Sequence, residues 1–215
     1  MYGDELPGYE ISDVPSVDIQ EDLAKFLQDS SVDNEQIDLM SEAVIAVDEQ
    51  DNEIGMISKV DAHYGSGKLH RAFSVLLFDN DNRLLLQKRA EHKVTFPGIW
   101  ANSCCSHPLY SDSERDLRDA SGVKRAAIRK LNQELGIDPS SISIEDFHFV
   151  TKMMYSSRMD ENWIEREIDH ILVIKCDVKL NINKNEVSKT KWVSKEELEE
   201  FLVSEQYDDG EIAPW

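Results

Sequence analysis

Basic side chains, cysteines and long apolar runs are all scarce in this chain of 215 residues. Lysine and arginine number 23 against 43 acidic residues, a net charge of −20, which argues against binding to a nucleic-acid backbone. The apolar runs, such as residues 171–174, are far too short to cross a bilayer. Three cysteines, two of them adjacent, do not make a disulfide framework, and no signal peptide opens the chain. We therefore expect a cytoplasmic protein without nucleic-acid or membrane partners.

Acidic residues are concentrated at the beginning of the chain. Residues 1–41 contain eleven acids and one basic residue, Lys25, together with Pro7, Gly8 and Pro15. This composition is typical of segments that cannot bury enough apolar surface to fold. The sequence therefore predicts a largely disordered acidic arm over 1–41 and one globular domain over 42–215.

Strand and helix patterns alternate within the predicted domain. Turn-forming residues between apolar runs predict hairpins, and apolar residues spaced three and four apart predict a helix that ends at Gly136. Ser194 and Glu197 predict the capping box of a last helix. The predicted elements are strands 43–47, 56–59, 73–78, 83–87, 147–155 and 165–176, and helices 123–135 and from 194 onward. This order predicts an α+β or α/β sandwich with a mixed sheet.

A thiol and an imidazole lie close together in the segment 102–108, Asn-Ser-Cys-Cys-Ser-His-Pro. On an extended strand, residues two apart such as Cys105 and His107 share one face. A thiol beside a base is suited to proton transfer. The alternative is that the cysteine pair fills the core, as free cysteines commonly do.

Carboxylates and further histidines suggest a metal site. Period-two geometry places Glu165, Glu167 and Asp169 on one face of a strand, where mutual repulsion is costly unless water or a cation offsets it. His63 and His70 flank a glycine-containing loop, and imidazole with carboxylate suits Zn²⁺, Mn²⁺ or Fe²⁺ better than Ca²⁺. A solvated acidic strand and an ordinary surface loop are the alternatives.

A basic cluster interrupts the acidic sequence. Residues 68–93 carry a local charge of +3, from six basic and three acidic side chains. A positive pocket within a negative surface is suited to a small anion such as a phosphate ester. The alternative for some of these residues, such as Arg83 and Lys88, is that they are solvated residues of a turn.

Taken together, these segments resemble one enzyme family. The matching motifs are Leu-His-Arg-Ala-Phe-Ser at 69–74, Thr-Phe-Pro-Gly-Ile-Trp at 95–100 leading into 102–108, and Trp-Ile-Glu-Arg-Glu-Ile-Asp at 163–169. In this order they resemble the type I isopentenyl-diphosphate Δ-isomerases, a branch of the Nudix superfamily, from about residue 42 to residue 215. The resemblance implies a Nudix-like mixed sheet sandwiched between helices.

The resemblance also implies site residues and cofactors. Cys105 and Glu167 would be catalytic, with Tyr155 supporting Glu167. The implied ligands of one divalent ion (Mg²⁺, Mn²⁺ or Zn²⁺) are His63, His70, His107, Glu165 and Glu167. Glu134 would help to place a Mg²⁺ ion on the diphosphate. The implied contacts of the diphosphate are Lys59, Arg89, Lys93 and Lys130, the last standing where relatives often have arginine. The implied partner is a small-molecule diphosphate bound by a monomer.

The implied reaction is the reversible isomerisation of isopentenyl diphosphate to dimethylallyl diphosphate. A Nudix hydrolase is the first alternative, but Lys130 and Gln133 replace two of the three glutamates that such enzymes use to hold metal. A diphosphate-binding pseudoenzyme is the second, because the chain ends at Trp215, where relatives continue into a helix whose aromatic residue covers the site. We accordingly expect that lid to be missing, with Trp163 or Trp100 left to shield a carbocation.

Overall fold

The computed structural model describes residues 34–203 and 210–215. Four α-helices and nine strands occur in this part of the chain, with short 3₁₀ turns at 118–120, 139–141 and 144–146. The helices are α1 (Asn34–Met40), α2 (Lys59–His63), α3 (Ser121–Leu135) and α4 (Lys195–Val203). The first strands are β1 (Ala43–Val47), β2 (Glu53–Ser58), β3 (His70–Phe78), β4 (Leu84–Arg89) and β5 (Trp100–Ala101). The remaining strands are β6 (Cys104–Ser106), β7 (Phe147–Arg158), β8 (Ile164–Lys175) and β9 (Val187–Val193).

Strand β3 organises the sheet. Along one edge it pairs in parallel with β8, in a register that joins His70 to Glu167 and Phe78 to Lys175. It also pairs antiparallel with β1, β6 and β4. Strand β7 extends the sheet beyond β8, and β9 pairs with β4. One parallel pair among antiparallel ones makes this the mixed sheet that the sequence predicts.

Helices cover both faces of the sheet. Alternate residues of β3, such as Phe73 and Val75, pack against α3 residues such as Ala127 and Leu131. On the opposite face, Leu84, Leu86 and Trp100 pack with Phe201 of α4. Helix α3 ends where expected, because Gly136 adopts a left-handed φ of 64° and a Cβ there would lie 2.2 Å from the carbonyl oxygen of Asn181. The predicted layered α+β fold is confirmed.

Helix α1 shows that the predicted disordered arm, residues 1–41, is too long at its end. Residues 34–40 fall within 1–41, yet they form a helix in which Gln36 and Met40 are 3% and 5% exposed. Burial of these side chains outweighs the acidic composition on which the prediction rested. Residues 1–33 of the predicted arm lie outside the described residues.

The structure also differs at α2. The predicted strand 56–59 ends at Ser58, whose hydroxyl accepts a hydrogen bond from the amide of Asp61 at 3.1 Å and so begins a helix. At the last helix, Ser194 and Glu197 exchange the predicted capping-box bonds, at 2.7 and 3.2 Å. None of the helices described is long and apolar enough to span a membrane.

Candidate active site

Five potential metal-ligating side chains meet at one end of the sheet. His63 ends α2, His70 begins β3, His107 follows β6, and Glu165 and Glu167 lie on β8. One ligating atom from each falls within 4.8 Å of all the others. Two pairings bring them together: the β3–β8 register sets His70 beside Glu167, and a bridge between Tyr64 and Trp163 sets His63 beside Glu165.

The histidine rings are oriented for coordination. The Nδ1 atoms of His63 and His70 each lie 2.7 Å from a backbone carbonyl oxygen, those of Lys59 and Lys68. A carbonyl only accepts, so Nδ1 carries the proton and Nε2 presents a lone pair. The Nε2 atoms of His107, His70 and His63 lie 2.7, 3.5 and 4.0 Å from Oε1 of Glu167.

The donor set fits a divalent cation. His70 Nε2 and Glu165 Oε2 are buried and make no hydrogen bond to a described residue, although Glu165 Oε2 lies 2.9 Å from His63 Nε2. Burial opposes the charge on Glu167, but its interaction with His70, whose Nε2 lies 3.5 Å from Oε1, lowers its pKa to about 2. Burial, with His70 and His63 nearby, holds the pKa of His107 well below its ordinary value. Burial opposes the charge on His63, but the charge of Glu165 raises its pKa, and a bound cation would take the place of that proton. Carboxylate oxygens and imidazole nitrogens together suit Zn²⁺, Mn²⁺ or Mg²⁺ to differing degrees.

A cluster of cations lines the same cavity as the metal-ligating residues. Lys59 begins α2, Arg89 ends β4, Lys93 lies in the following loop and Lys130 projects from α3. The guanidinium of Arg89 donates to the carbonyl oxygens of Thr95 and Phe96, at 2.7 and 2.9 Å, and so holds this loop against the strand. Burial and the charge of Lys130 lower the pKa of Lys59 to about 8. These side chains form a wall suited to a compact polyanion such as a diphosphate.

Glu134 belongs to this wall rather than to the histidine cluster. It lies one turn after Lys130 on α3, with Oε1 3.1 Å from the Nζ atom of Lys130. Its other oxygen accepts from Gln87 at 3.1 Å. Of the metal-ligating residues predicted, it is therefore the one set apart from the five-residue group.

The thiol of Cys105 faces this cavity and is held by three side chains. It donates to Oδ1 of Asn102 at 2.5 Å, receives the indole N–H of Trp215 at 3.0 Å and lies 3.4 Å from the hydroxyl of Ser74. Ser74 itself donates to Asp169 at 2.8 Å. Burial raises the pKa of the thiol to about 12, so Cys105 carries its proton at neutral pH.

Tyr155 connects the cavity to the metal-ligating group. The antiparallel register of β7 and β8 pairs Tyr155 with Glu167, and its hydroxyl donates to Glu167 Oε2. Burial and the charge of Glu167 raise the pKa of Tyr155, which keeps this donor protonated. Cys105, Tyr155 and Glu167 all line the one cavity.

An aromatic side chain does cover the cavity, contrary to expectation, while the absence of the relatives' last helix stays a prediction of the sequence. Trp215 lines the cavity, its ring stacking on Tyr155 at 6.4 Å between centroids and meeting Phe96 edge-on at 5.2 Å. Backbone bonds between Trp100 and residues 211 and 213 bring the end of the chain back along β5. Trp100 and Trp163, the expected shields, pack instead against Phe201 and Tyr64.

Four polar residues around the site are not among those that the sequence predicts. Ser74 and Asn102 contact the thiol, while Gln36 and Glu186 lie at the lysine wall. Ser74 and Asn102 lie within the motifs 69–74 and 102–108, and this position was the signal that could have identified them as site residues. Nothing in the local sequence marks Gln36 or Glu186, because their contact joins residues 150 positions apart.

Comparison with known proteins identifies relatives over most of the chain. A model of the NUDIX domain matches residues 68–215. The isopentenyl-diphosphate Delta-isomerase 1 of Mesocricetus auratus is 44% identical over 86% of this chain and 84% of its own length. The isopentenyl-diphosphate delta-isomerase of Gibberella zeae is 49% identical over 86% and 75%, and that of Dictyostelium discoideum 44% identical over 91% and 84%. A crystal structure from Deinococcus radiodurans shares the fold, with a TM-score of 0.56 and 16% identity over 79% of this chain and 93% of that one.

Proposed function

This chain belongs to the isopentenyl-diphosphate Δ-isomerase family of NUDIX-domain proteins, and we propose that its cavity converts isopentenyl diphosphate reversibly into dimethylallyl diphosphate. The observation that carries the proposal is the shared cavity, in which a protonated thiol and a tyrosine-bonded carboxylate lie beside a wall of lysines. The lysine wall suits the diphosphate, and the thiol and carboxylate suit proton transfer at the hydrocarbon end.

The reaction is a 1,3-proton shift. A proton adds to C4 of the double bond, a proton leaves C2, and the double bond moves from C3–C4 to C2–C3. Cys105 and Glu167 are the groups that we assign to the two transfers, with Tyr155 holding Glu167 by its hydrogen bond. The raised pKa of the Cys105 thiol and the lowered pKa of Glu167 give the site one proton donor and one acceptor at neutral pH.

Metal ions would contribute charge and position. A divalent cation held by the five-residue group would fix Glu167 and balance its charge, and Mg²⁺ beside Glu134 would offset the charge of the diphosphate. The identities of both ions, a monomeric state and a cytoplasmic location stay predictions of the sequence.

A carbocation at C3 requires the exclusion of water. Trp215 covers the cavity beside Cys105 and Tyr155, and Leu39 and Met40 of α1 supply apolar side chains. The face of an indole ring attracts a cation. We therefore assign the shielding role to Trp215.

Hydrolysis of the diphosphate is disfavoured. Glu134 is the single carboxylate of α3 at this cavity among the described residues, and its Oε1 is already paired with Lys130 at 3.1 Å. A NUDIX hydrolase needs several carboxylates there to hold metal and activate water. A pseudoenzyme is also disfavoured, because a binder of diphosphate has no use for the Cys105 and Tyr155–Glu167 pair.

The test compares Cys105→Ser with wild type in the presence of isopentenyl diphosphate and Mg²⁺. Mass spectrometry after chromatography measures dimethylallyl diphosphate, and a phosphate assay measures hydrolysis. We expect turnover by wild type without phosphate release, and a loss of about 100-fold or more in Cys105→Ser. Cys176→Ser is the matched control, since Cys176 is a half-buried thiol outside the cavity. Wild-type turnover by Cys105→Ser would refute its assignment, and phosphate release would refute the reaction.

A further inference from the structure

Glu186 lies behind the lysine wall, in the turn just before β9. Its side chain is 0% exposed, and one carboxylate oxygen lies 2.5 Å from Nζ of Lys93 and 3.9 Å from Nζ of Lys130. The backbone is fixed as well, because the carbonyl of Glu186 accepts from the amide of Ala90 at 3.1 Å. Glu186 is thus rigidly placed behind two side chains that face the cavity.

The other oxygen of Glu186 connects this wall to helix α1. It accepts from Nε2 of Gln36 at 2.8 Å, and Gln36 also donates to the side chain of Asn185 at 2.8 Å. Gln36, Leu39 and Met40 all line the cavity. One buried carboxylate therefore holds two lysines on one side and the helix that closes the cavity on the other.

The electrostatics explain why a carboxylate is needed at this position. Lys59, Lys93 and Lys130 are crowded into one buried wall, where burial and mutual repulsion lower the pKa of Lys59 and Lys93. Lys59 has Glu42 at 3.6 Å and Lys130 has Glu134 at 3.1 Å. The ion pair of Lys93 is with Glu186. Buried charges need such partners, since an unpaired one is costly.

We propose that Glu186 is a positioning residue for the diphosphate, which it serves by fixing Lys93 and Lys130 in the cavity wall and anchoring α1 through Gln36. The inference rests on the proposed function, because it takes the lysine wall as the diphosphate site. Glu186 does not line the described cavity and so acts through the lysines. Its loss therefore weakens binding of the diphosphate and leaves the proton transfers at the other end of the substrate intact.

The experiment measures binding of inorganic pyrophosphate with Mg²⁺ by calorimetry, together with steady-state kinetics. For Glu186→Gln we expect Kd for pyrophosphate and KM for isopentenyl diphosphate to rise about 10-fold, the effect of one charge-assisted contact, with kcat changed less than about 3-fold. Glu186→Asp, which keeps the charge, should recover part of the affinity. Glu199→Gln is the matched control, because Glu199 is exposed and pairs with Lys195 on α4.

A double-mutant cycle shows whether Glu186 acts through Lys93. In a Lys93→Met background, Glu186→Gln should cost less pyrophosphate affinity than it does in wild type. The pair with Lys93 is already gone there, and only the contacts of Glu186 with Lys130 and Gln36 remain to be lost. Unchanged affinity in Glu186→Gln, or an equal loss in both backgrounds, would overturn the proposal. If Glu186→Gln alone does not fold, Gln36→Leu takes its place. It should weaken pyrophosphate binding about 3-fold at unchanged kcat, and wild-type affinity would again overturn the proposal.

Failure of the proposed function gives a different result. Wild type would then bind pyrophosphate, with the loss still confined to the Glu186 variants, but would form no dimethylallyl diphosphate. If the inference about Glu186 fails, wild type still forms dimethylallyl diphosphate, and Glu186→Gln binds pyrophosphate as tightly as wild type does.

Discussion

Removing the hydroxyl of Tyr155 tests the catalytic arrangement with little change of shape. That hydroxyl donates to Oε2 of Glu167, while Oε1 of the same carboxylate lies 2.7 Å from Nε2 of His107. Tyr155→Phe deletes the donor and keeps the ring that stacks on Trp215. Glu167 is then left with one oxygen held and the other free within a buried site.

The size of the effect follows from the kind of contact. A hydrogen bond to a charged group contributes about 1.5–3 kcal/mol, so losing it should lower kcat about 10- to 100-fold. KM should stay within about 2-fold of wild type, since neither Lys93 nor Lys130 is touched and uniform binding is unchanged. Steady-state kinetics with isopentenyl diphosphate measures both constants.

Tyr110→Phe supplies the matched control for this experiment. Tyr110 also lies beside a carboxylate, that of Glu53, but does not line the described cavity. Its variant should keep the wild-type kcat. A kcat for Tyr155→Phe within about 2-fold of wild type would refute the assignment of Tyr155 as the support of Glu167.

Three further predictions concern stability and the covering aromatic residue. Burial opposes the charge of Asp51, but its bonds to His170 and Arg71 lower the pKa from 3.8 to about 2. The ionised carboxylate therefore stabilises the folded protein at pH values above 3.8, and this stabilisation is lost as the pH falls through about 2. Asp51→Asn should lower the free energy of unfolding, measured in urea, by about 2 kcal/mol at neutral pH and by progressively less below pH 4. A difference independent of pH would contradict it. Stripping divalent metal with a chelator should lower the melting temperature. Restoring an ion at 1,000 times its Kd should raise the free energy of unfolding by about 4 kcal/mol. An unchanged melting temperature would exclude a stabilising metal. Trp215→Phe should lower kcat, because it loses the N–H donor to Cys105. Trp215→Ala should lower kcat further, by up to about 30-fold relative to wild type, because the aromatic face is lost as well. Full activity of Trp215→Ala would contradict the shielding role.

The local patterns predicted much of the fold and part of the site. Alternation along β8 placed Glu165 and Glu167 on one face, and both are buried beside the histidines. The spacing of His63 and His70 was a weak signal on its own, because their convergence depends on the bridge between Tyr64 and Trp163 and on the parallel pairing of β3 with β8. That pairing joins segments almost a hundred residues apart, which local periodicity does not reveal.

Tertiary contacts account for what the sequence analysis did not find. Trp215 reaches Cys105 because the end of the chain returns along β5, a path that no local pattern specifies. Gln36 belongs to a stretch whose acidic composition predicts disorder, yet its buried amide bonds Glu186. The sequence does contain a signal for the start of α2, because Ser58 caps the helix through the amide of Asp61 and so ends the strand. The apolar residues before Ser58 favoured a longer strand instead.

Deuterium incorporation tests the central claim most directly. Wild-type protein is incubated with isopentenyl diphosphate and Mg²⁺ in D₂O, and proton and deuterium NMR follow the hydrocarbon positions. The mechanism predicts dimethylallyl diphosphate that carries deuterium in the methyl group derived from C4, without free phosphate. Substrate that remains intact and unlabelled, or that loses phosphate, would contradict the assignment of Cys105 and Glu167 to a proton shift.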